Sequence, residues 1–394
     1  MTPSAQTTRS RLPLVLILAA MFSNGVAHLV TSTMPFQVGA LIDGAGFSAG
    51  TAGTFGFCEV GMFALSMIAV AGRVDRISPR VLALLGVSLL CGANLAIFFV
   101  HAHLAGFVFG PLAGIGYGFI FAASIAAVAA VPNPDRIYGI TTGGALVVIV
   151  MTIAALPAAS RLVGPMGPFL GLAITGIITL PFLLGFGWSG APVTQVKQQV
   201  LSIRGAPGLL FGWASFSLGT GALWSFAERI GHGLALAPET IGSVLATGTF
   251  AGLIGTGTAA WFGGRLGRKI ALAVGFLGSG LACLLLGFSI GIVTYAAGVL
   301  LYWIFYMFLY SYLLGTAAAL DPYGRVGTFA GGLERLGFAI GAGIGGLLAD
   351  HSSYPAIGLL GFGGCIVGLV VGMPSVLRGL RHEPALVIQG IGTP

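Results

Sequence analysis

Charged residues are scarce in this sequence of 394 amino acids. Asp, Glu, Lys and Arg make up 7% of it, whereas soluble domains contain about 25%. Hydrophobic residues make up 56%, and the mean hydropathy is +1.01. Because a water-soluble fold cannot bury so much apolar surface, a soluble enzyme or binding domain is excluded and the chain is predicted to lie in a membrane.

Cysteine and histidine are also scarce, with four and six residues. The cysteines lie in apolar runs and lack the close spacing that metal sites favour. His28 is the one histidine well inside an apolar run, which is too few for a cofactor held between facing helices. No glycine-rich segment is followed by Gly-Lys-Ser/Thr, so a nucleotide-driven pump is not predicted. We expect no metal site, no cofactor and no enzymatic activity.

Long uncharged runs are what the sequence contains instead. A helix needs about 20 apolar residues to cross the hydrocarbon core. The runs are continuously apolar, whereas the strands of a membrane barrel would alternate, so helices are predicted. The twelve predicted spans are 12–35, 49–71, 81–100, 105–131, 138–160, 167–188, 208–230, 240–262, 270–288, 291–318, 327–349 and 356–377.

The basic residues lie on alternate loops between these spans. All but Arg161, Arg229 and Arg335 fall on the side that both termini share. The positive-inside rule therefore puts both termini in the cytoplasm and predicts a multi-pass protein of the inner (plasma) membrane. The net charge of +7 is then an orientation signal, and no nucleic-acid partner is expected.

The two halves of the chain are related by an internal repeat. A shift of 189 residues superimposes Arg76 on Arg265 and Arg80 on Lys269 without a gap. Duplicated halves around a midplane site are a common construction of secondary transporters. The predicted parts are an N-terminal six-helix bundle at 1–188, a cytoplasmic linker at 189–207, a C-terminal six-helix bundle at 208–378 and a cytoplasmic tail at 379–394.

The loop after the second span carries a recognisable motif. The segment from position 71 to 80 reads AGRVDRISPR. It resembles the major facilitator superfamily pattern G-x-x-x-D-R-x-G-R-[RK], with Asp75, Arg76 and Arg80 matching. The equivalent loop of the second half reads AWFGGRLGRK and keeps Arg265, Arg268 and Lys269, but has glycine where the acid belongs.

This resemblance covers the whole chain and implies an all-α membrane protein, with twelve transmembrane helices in two pseudo-symmetric six-helix bundles. It also implies that the two charged loops form a gate on the cytoplasmic side. Their charges suit ion pairs and helix-terminus contacts between the halves. The simpler alternative is that the arginines only set the topology. The arginine of the fourth span and the glycines of the exporter motif in the fifth span are missing, so no subfamily is indicated.

Ionisable residues inside the spans are the candidates for coupling or ion pairing, because each costs about 2.5–3.5 kcal/mol on insertion scales. They are Glu59, Glu334, Arg335, Glu228 and Arg229. The resemblance places the second and eleventh spans face to face, so Glu59 is expected within reach of Arg335. We hypothesise that Glu59 is the carboxylate that binds and releases a proton. A static ion pair and a rim-exposed acid are the alternatives.

Polar and aromatic residues on helices expected to face the cavity are the candidates for substrate contacts. Asn24 and His28 are four residues apart and share one helix face, and the tyrosines of the tenth span repeat at the same spacing. Packing against neighbouring helices or lipid is the alternative for each. The candidates are Asn24, His28, Tyr117, Trp213, Trp224, Tyr302, Trp303, Tyr306 and Tyr310.

The function predicted from these features is secondary active transport of a small organic solute, aromatic or amphipathic, by alternating access. We expect proton coupling, a monomer surrounded by lipid, and efflux slightly ahead of uptake. The alternatives are a facilitative uptake permease for a metabolite and, in a different class, an integral-membrane enzyme acting on lipids. The enzyme would need a cluster of His, Asp or Ser nucleophiles near a membrane surface, and the sequence has none.

Overall fold

The computed structural model describes residues 14–71, 77–100, 103–129, 134–187, 200–263, 265–321, 325–351 and 353–380. These residues are almost entirely helical. The helices are α1 (Leu14–Ser32), α2 (Met34–Ala45), α3 (Ala49–Ala71), α4 (Pro79–Val100), α5 (His103–Ala129), α6 (Pro134–Val163), α7 (Gly167–Leu183), α8 (Ala206–Ser225), α9 (Ala227–Gly233), α10 (Pro238–Phe262), α11 (Arg268–Gly287), α12 (Ile292–Leu320), α13 (Arg325–His351), α14 (Tyr354–Val367) and α15 (Met373–Leu380).

The predicted spans all coincide with these helices. Among the described residues, ten helical segments are long and apolar enough to cross a membrane, and α7 is apolar but only 17 residues long. A π-helical segment, Gly368–Gly372, joins α14 to α15 within the twelfth predicted span. Because successive spans cross in opposite directions, α1 begins and α15 ends at the same side, which we call the terminal face. The opposite side is called the distal face.

The first and seventh predicted spans are each broken into two helices near the distal face. In the first, α1 ends at Ser32 and α2 begins at Met34, with Pro35 in its first turn. Proline lacks the N–H that a continuing helix needs, but fits the first turn of a new one. In the seventh, Phe226 separates α8 from α9 with φ −111° and ψ 9°, and no proline marks the break.

The N-terminal half, α1–α7, and the C-terminal half, α8–α15, meet chiefly along α3 and α13. Near the distal face this contact is backbone against backbone. A Cβ added to Gly53 would overlap the carbonyl of Ala342, and one added to Gly346 would overlap the backbone of Ala49. Small residues therefore allow α3 and α13 to approach closely.

Candidate substrate cavity and gate residues

A pair of opposite charges lies near the middle of α13, between the two halves. Glu334 and Arg335 are 2% and 6% exposed. Glu334 Oε1 accepts a hydrogen bond of 3.0 Å from the hydroxyl of Tyr306 on α12. Arg335 Nη1 donates across the interface to Thr31 Oγ1 on α1, at 3.1 Å. Arg335 therefore binds a residue of the N-terminal half, whereas the hydrogen bond of Glu334 stays within the C-terminal half.

The charge of Arg335 is compensated from both halves. Glu334 Oε1 lies 3.5 Å from its Nη1, and the guanidinium carbon lies 5.5 Å from the centre of the Phe63 ring, at cation–π distance. Glu59, expected within reach of Arg335, forms no ion pair with it here. The pair is absent because Glu59 is directed into the N-terminal half.

The tyrosines predicted to form a stripe on α12 are a continuous column. Tyr302 and Tyr306 stack with ring centres 5.8 Å apart, and Tyr306 and Tyr310 follow at 6.2 Å. The hydroxyl of Tyr302 donates to the carbonyl of Thr220 at 3.1 Å. Tyr306 and Tyr310 are only partly buried, and Trp213 packs edge-on against Tyr310 at 5.4 Å. The column provides flat apolar surface with a hydroxyl at each step.

Trp224 connects this column to the other half. Its ring stacks on Tyr302 at 5.4 Å and meets Trp303 edge-on at 5.0 Å. Its Nε1 donates to the backbone carbonyl of Thr31, at 3.0 Å. That carbonyl lies at the end of α1, where a broken helix leaves acceptors without helical partners. Trp224, Trp303 and Tyr302, all predicted as cavity candidates, are therefore in contact with one another.

His28 lies on α1, opposite the charged pair. Its Nδ1 is 2.9 Å from the backbone oxygen of Asn24, so Nδ1 carries a hydrogen and Nε2 is an acceptor in the neutral ring. The ring meets Phe121 edge-on at 5.2 Å and is within electrostatic range of Arg335. Asn24 and His28 therefore share a face, as predicted, and that face is directed towards the interface.

Glu59 belongs to a separate polar cluster inside the N-terminal half. Glu59, Asn94 and Tyr117, on α3, α4 and α5, are each completely buried. Both carboxylate oxygens of Glu59, the amide oxygen of Asn94 and the hydroxyl of Tyr117 lack a hydrogen-bond partner among the described residues. The Tyr117 hydroxyl lies close to Glu59 and Asn94. Tyr117, one of the predicted cavity residues, is therefore placed with Glu59 and not with the aromatic column.

Charged groups of α9 lie against α2 of the other half at the distal face. Arg229 Nη1 and Asp43 Oδ2 are 2.6 Å apart. Glu228 Oε1 lies 3.0 Å from His232 Nε2, and the Glu228 carboxylate presses against α2 where Gly39 has no Cβ. The hydrogen bond to Glu228 raises the pKa of His232 above its usual value. A cavity of about 240 Å³ opens beside these groups.

Two further contacts at the distal face were not predicted. Arg161 pairs with Glu239 at 3.2 Å, with both side chains about half exposed. Asp350 Oδ2, at the end of α13, accepts hydrogen bonds of 2.7 Å from Ser48 Oγ and from the backbone N–H of Gly50. The signal available in the sequence was that four of its ten acids, Asp43, Glu228, Glu239 and Asp350, lie at the distal ends of helices.

The described contacts between the halves lie at the distal face or at mid-depth. At the terminal face, Arg80 donates to the carbonyls of Leu184 and Phe186 in its own half. Arg268 is 3.5 Å from the carbonyl of Gly315, also in its own half. Arg265 and Lys269 are exposed, and Asp75 and Arg76 lie outside the described residues. Their roles in a gate stay a prediction.

Metal ligands do not cluster in the part of the chain that the structure describes. No group of three or more His, Cys, Asp or Glu side chains there is arranged to hold an ion. The cysteines in that part are all free thiols.

Comparison with known proteins identifies the fold. No family model matches the sequence, and no curated protein matches it. The structure is similar to that of the nucleoside transporter NupG, with a TM-score of 0.70 and 14% sequence identity over 94% of this chain and 100% of that chain. It is also similar to a bacterial homolog of the human lysosomal transporter Spinster in an inward-facing and unoccupied conformation. There the TM-score is 0.69 and the identity 14%, over 94% of this chain and 98% of the other.

These similarities confirm the predicted all-helical arrangement in two six-helix bundles. Both structural neighbours are transporters, and the multi-pass helices make the chain an integral membrane protein. The chain has the fold of the major facilitator superfamily of transporters.

Proposed function

We propose that this protein is a proton-coupled secondary transporter that moves a small aromatic or amphipathic solute by alternating access. The observation that carries the proposal is the midplane group of Arg335, Glu334 and Tyr306, which lies between two halves in contact at the distal face. A site at the interface of two moving bundles is exposed to one side of the membrane at a time.

The contacts between the two halves support this mechanism. Trp224, Arg229 and Asp350 each bind across the halves at mid-depth or at the distal face. Rocking one half against the other must break these contacts to open the distal face. Each is a hydrogen bond or an ion pair, so each can be exchanged for water at modest free-energy cost.

Glu59 is the proposed proton carrier. An ionised carboxylate with no partner is strongly disfavoured in such a buried position, so the structure suits the protonated acid. A protonated Glu59 carries no charge, so it needs no opposite charge in this buried position. Release of the proton would require water or a cation to reach the cluster as the helices move.

Transport driven by a pH gradient tests the proposal. A ligand is first identified by thermal shift of the purified protein against metabolites and drugs. Its movement is then measured in proteoliposomes with and without a pH gradient. We expect the gradient to drive accumulation in the wild type and not in Glu59→Gln, which would retain only exchange of labelled for unlabelled ligand.

Glu239→Gln is the matched control, because it removes an acid that is about half exposed at the distal face. That variant should respond to the gradient as the wild type does. Full pH-driven accumulation by Glu59→Gln would overturn the role of Glu59. Transport by the wild type that ignores the gradient would instead indicate a facilitative permease.

The proposed orientation places the terminal face in the cytoplasm of an inner membrane, following the basic loops. In that orientation the contacts of Arg229 and Asp350 lie on the outer side of the membrane, and a monomer contains both halves of the site. Export is the proposed direction, since an aromatic wall suits amphiphiles that cells expel. Binding of ligand to inverted vesicles and to intact cells, compared at equal protein, tests both the orientation and the direction.

A further inference from the structure

Arg335 is a fixed positive charge held nearly out of contact with water. Its side chain is 7% exposed, and arginine keeps its charge in proteins. Burying such a charge costs several kcal/mol unless hydrogen bonds and opposite charges compensate it. The contacts that the guanidinium makes therefore show whether the site is complete without a ligand.

The compensation from the protein falls on one nitrogen. Nη1 makes both the hydrogen bond to Thr31 Oγ1 and the 3.5 Å approach to Glu334 Oε1. That oxygen already accepts from Tyr306. Nη2 and Nε have no hydrogen-bond partner among the described residues, and neither is sealed inside the protein. Two adjacent N–H donor groups of the planar guanidinium are therefore left without a partner from the described residues.

The surroundings of these two donor groups are aromatic. Arg335 is within electrostatic range of Tyr306 and Tyr310, and both rings are partly open. Phe63 covers one face of the guanidinium, and His28 lies on the opposite half. The group therefore combines one head-group position with a flat apolar wall next to it.

We propose that the substrate is an aromatic organic anion whose carboxylate or sulfonate binds Nη2 and Nε of Arg335 while its ring lies on the column of Tyr306 and Tyr310. This inference rests on the transport function proposed above and names the class of solute. A two-oxygen anion matches the guanidinium fork, and charge-assisted pairs of this kind are about twice as strong as neutral hydrogen bonds.

A cationic substrate fits the same position less well. It would lie next to the permanent charge of Arg335, and like charges in a low dielectric repel strongly. The acid that would attract a cation, Glu334, is 3% exposed, and its Oε1 is already in contact with both Tyr306 and Arg335. An anion on Nη2 and Nε instead leaves the contacts of Nη1 with Thr31 and Glu334 in place.

A matched set of three probes tests the charge preference. Indole-3-acetate, indole-3-acetamide and tryptamine share one ring and differ in the charge of the head group. Their binding to the purified full chain is measured in detergent by isothermal titration, without any gradient. We expect the acetate to bind at least about tenfold more tightly than the amide, the size of one charge-assisted hydrogen bond, and tryptamine to bind most weakly.

Variants assign the preference to Arg335. Arg335→Gln should bind acetate and amide equally, and Arg335→Lys should keep part of the preference, because it retains the charge but loses the fork. Arg161→Gln removes a distal arginine whose side chain is 62% exposed and should behave as the wild type. Unchanged binding of the amide to Arg335→Gln shows that this variant is folded.

Three results would overturn the inference: equal binding of the three probes, tighter binding of tryptamine, or no binding of the acetate. The outcome is independent of proton coupling. If the protein binds the acetate through Arg335 but a pH gradient does not drive transport, the anion preference stands and proton coupling is wrong. If a pH gradient drives transport but the protein does not prefer anions, proton coupling stands and the anion preference is wrong.

Discussion

Arg229 of α9 and Asp43 of α2 are joined across the two halves by an ion pair of 2.6 Å at the distal face. The side chains of Arg229 and Asp43 are 19% and 43% exposed, whereas those of the other distal pair, Arg161 and Glu239, are 62% and 47% exposed. Exposed pairs contribute little, and better-shielded pairs contribute more. The two pairs therefore allow the same experiment to be done on a strong contact and a weak one.

Asp43→Asn should favour opening of the distal face. Loss of about 1 kcal/mol at this pair corresponds to about a fivefold rise in the population of open molecules. The measurement is the rate of maleimide labelling of a cysteine introduced at Ala40, which is 4% exposed, in a background without the four native cysteines. Glu239→Gln should leave the rate unchanged, and equal rates in both variants would contradict the role given to Asp43.

Gly346→Ala should also open the distal face, through steric overlap. A Cβ at this position would meet the carbonyl of Ala49 and the backbone of Gly53 on α3, and overpacking of this kind costs about 1–3 kcal/mol. The same labelling at Ala40 reports the effect. Gly343→Ala is the control on the same helix, since its Cβ would find only ordinary contact with Phe57 at 3.5 Å. A faster rate in Gly343→Ala than in Gly346→Ala would show that α3 and α13 do not form the contact described.

The contact between His232 and Glu228 should make stability depend on pH. His232 has a raised pKa because the Glu228 carboxylate accepts its hydrogen bond, in an environment that also contains Arg229, Asp43 and Tyr354. A raised pKa stabilises the fold below the unfolded value of about 6.5, and the stabilisation is lost as pH rises through the higher folded value.

Thermal unfolding of the wild type and His232→Gln, measured from pH 5 to pH 9, checks this expectation. At acidic pH the wild type should unfold at a higher temperature than His232→Gln. At alkaline pH the two unfolding temperatures should be equal. Glu228→Gln should remove the same dependence. A difference that grows towards alkaline pH would contradict the sign of the effect.

Tyr306→Phe should weaken the midplane site more than Tyr310→Phe does. The Tyr306 hydroxyl binds Glu334 at 3.0 Å, and loss of a hydrogen bond to a buried acid costs about 1–3 kcal/mol. The Tyr310 hydroxyl makes no hydrogen bond with the described residues, so its removal tests only the ring surface. Unfolding temperature and affinity for the identified ligand are both measured. Equal losses in the two variants would indicate that Glu334 does not depend on Tyr306.

The fold was largely predictable because its determinants are local. An uncharged run long enough to cross the bilayer has few alternatives to a helix, so the predicted span 49–71 coincides with α3. The break between α1 and α2 could have been read from Pro35. No such proline stands at the break at Phe226 or in the π-helical segment after Val367, and hydrophobic periodicity does not indicate either one.

The site was predictable in part for the same reason. The column of Tyr302, Tyr306 and Tyr310 follows from their spacing on one helix. The direction of Glu59 does not, because the face that a helix presents to each neighbour depends on the packing of the whole bundle. The ion pair between Asp43 and Arg229 joins residues 186 positions apart. The sequence around either residue does not indicate that the other is its partner.

The claim that the two halves rock about the midplane site is tested most directly by spin-label distances at both faces of the same protein. One pair, Leu162→Cys with Ile290→Cys, spans the distal face, and the other, Ile68→Cys with Trp261→Cys, spans the terminal face. These side chains are all exposed and each pair joins opposite halves. The measurement compares protein without ligand, with ligand, and at acidic and alkaline pH. We expect the distal distance to lengthen as the terminal distance shortens. Distances that stay constant under every condition, or that change at both faces in the same direction, would contradict it.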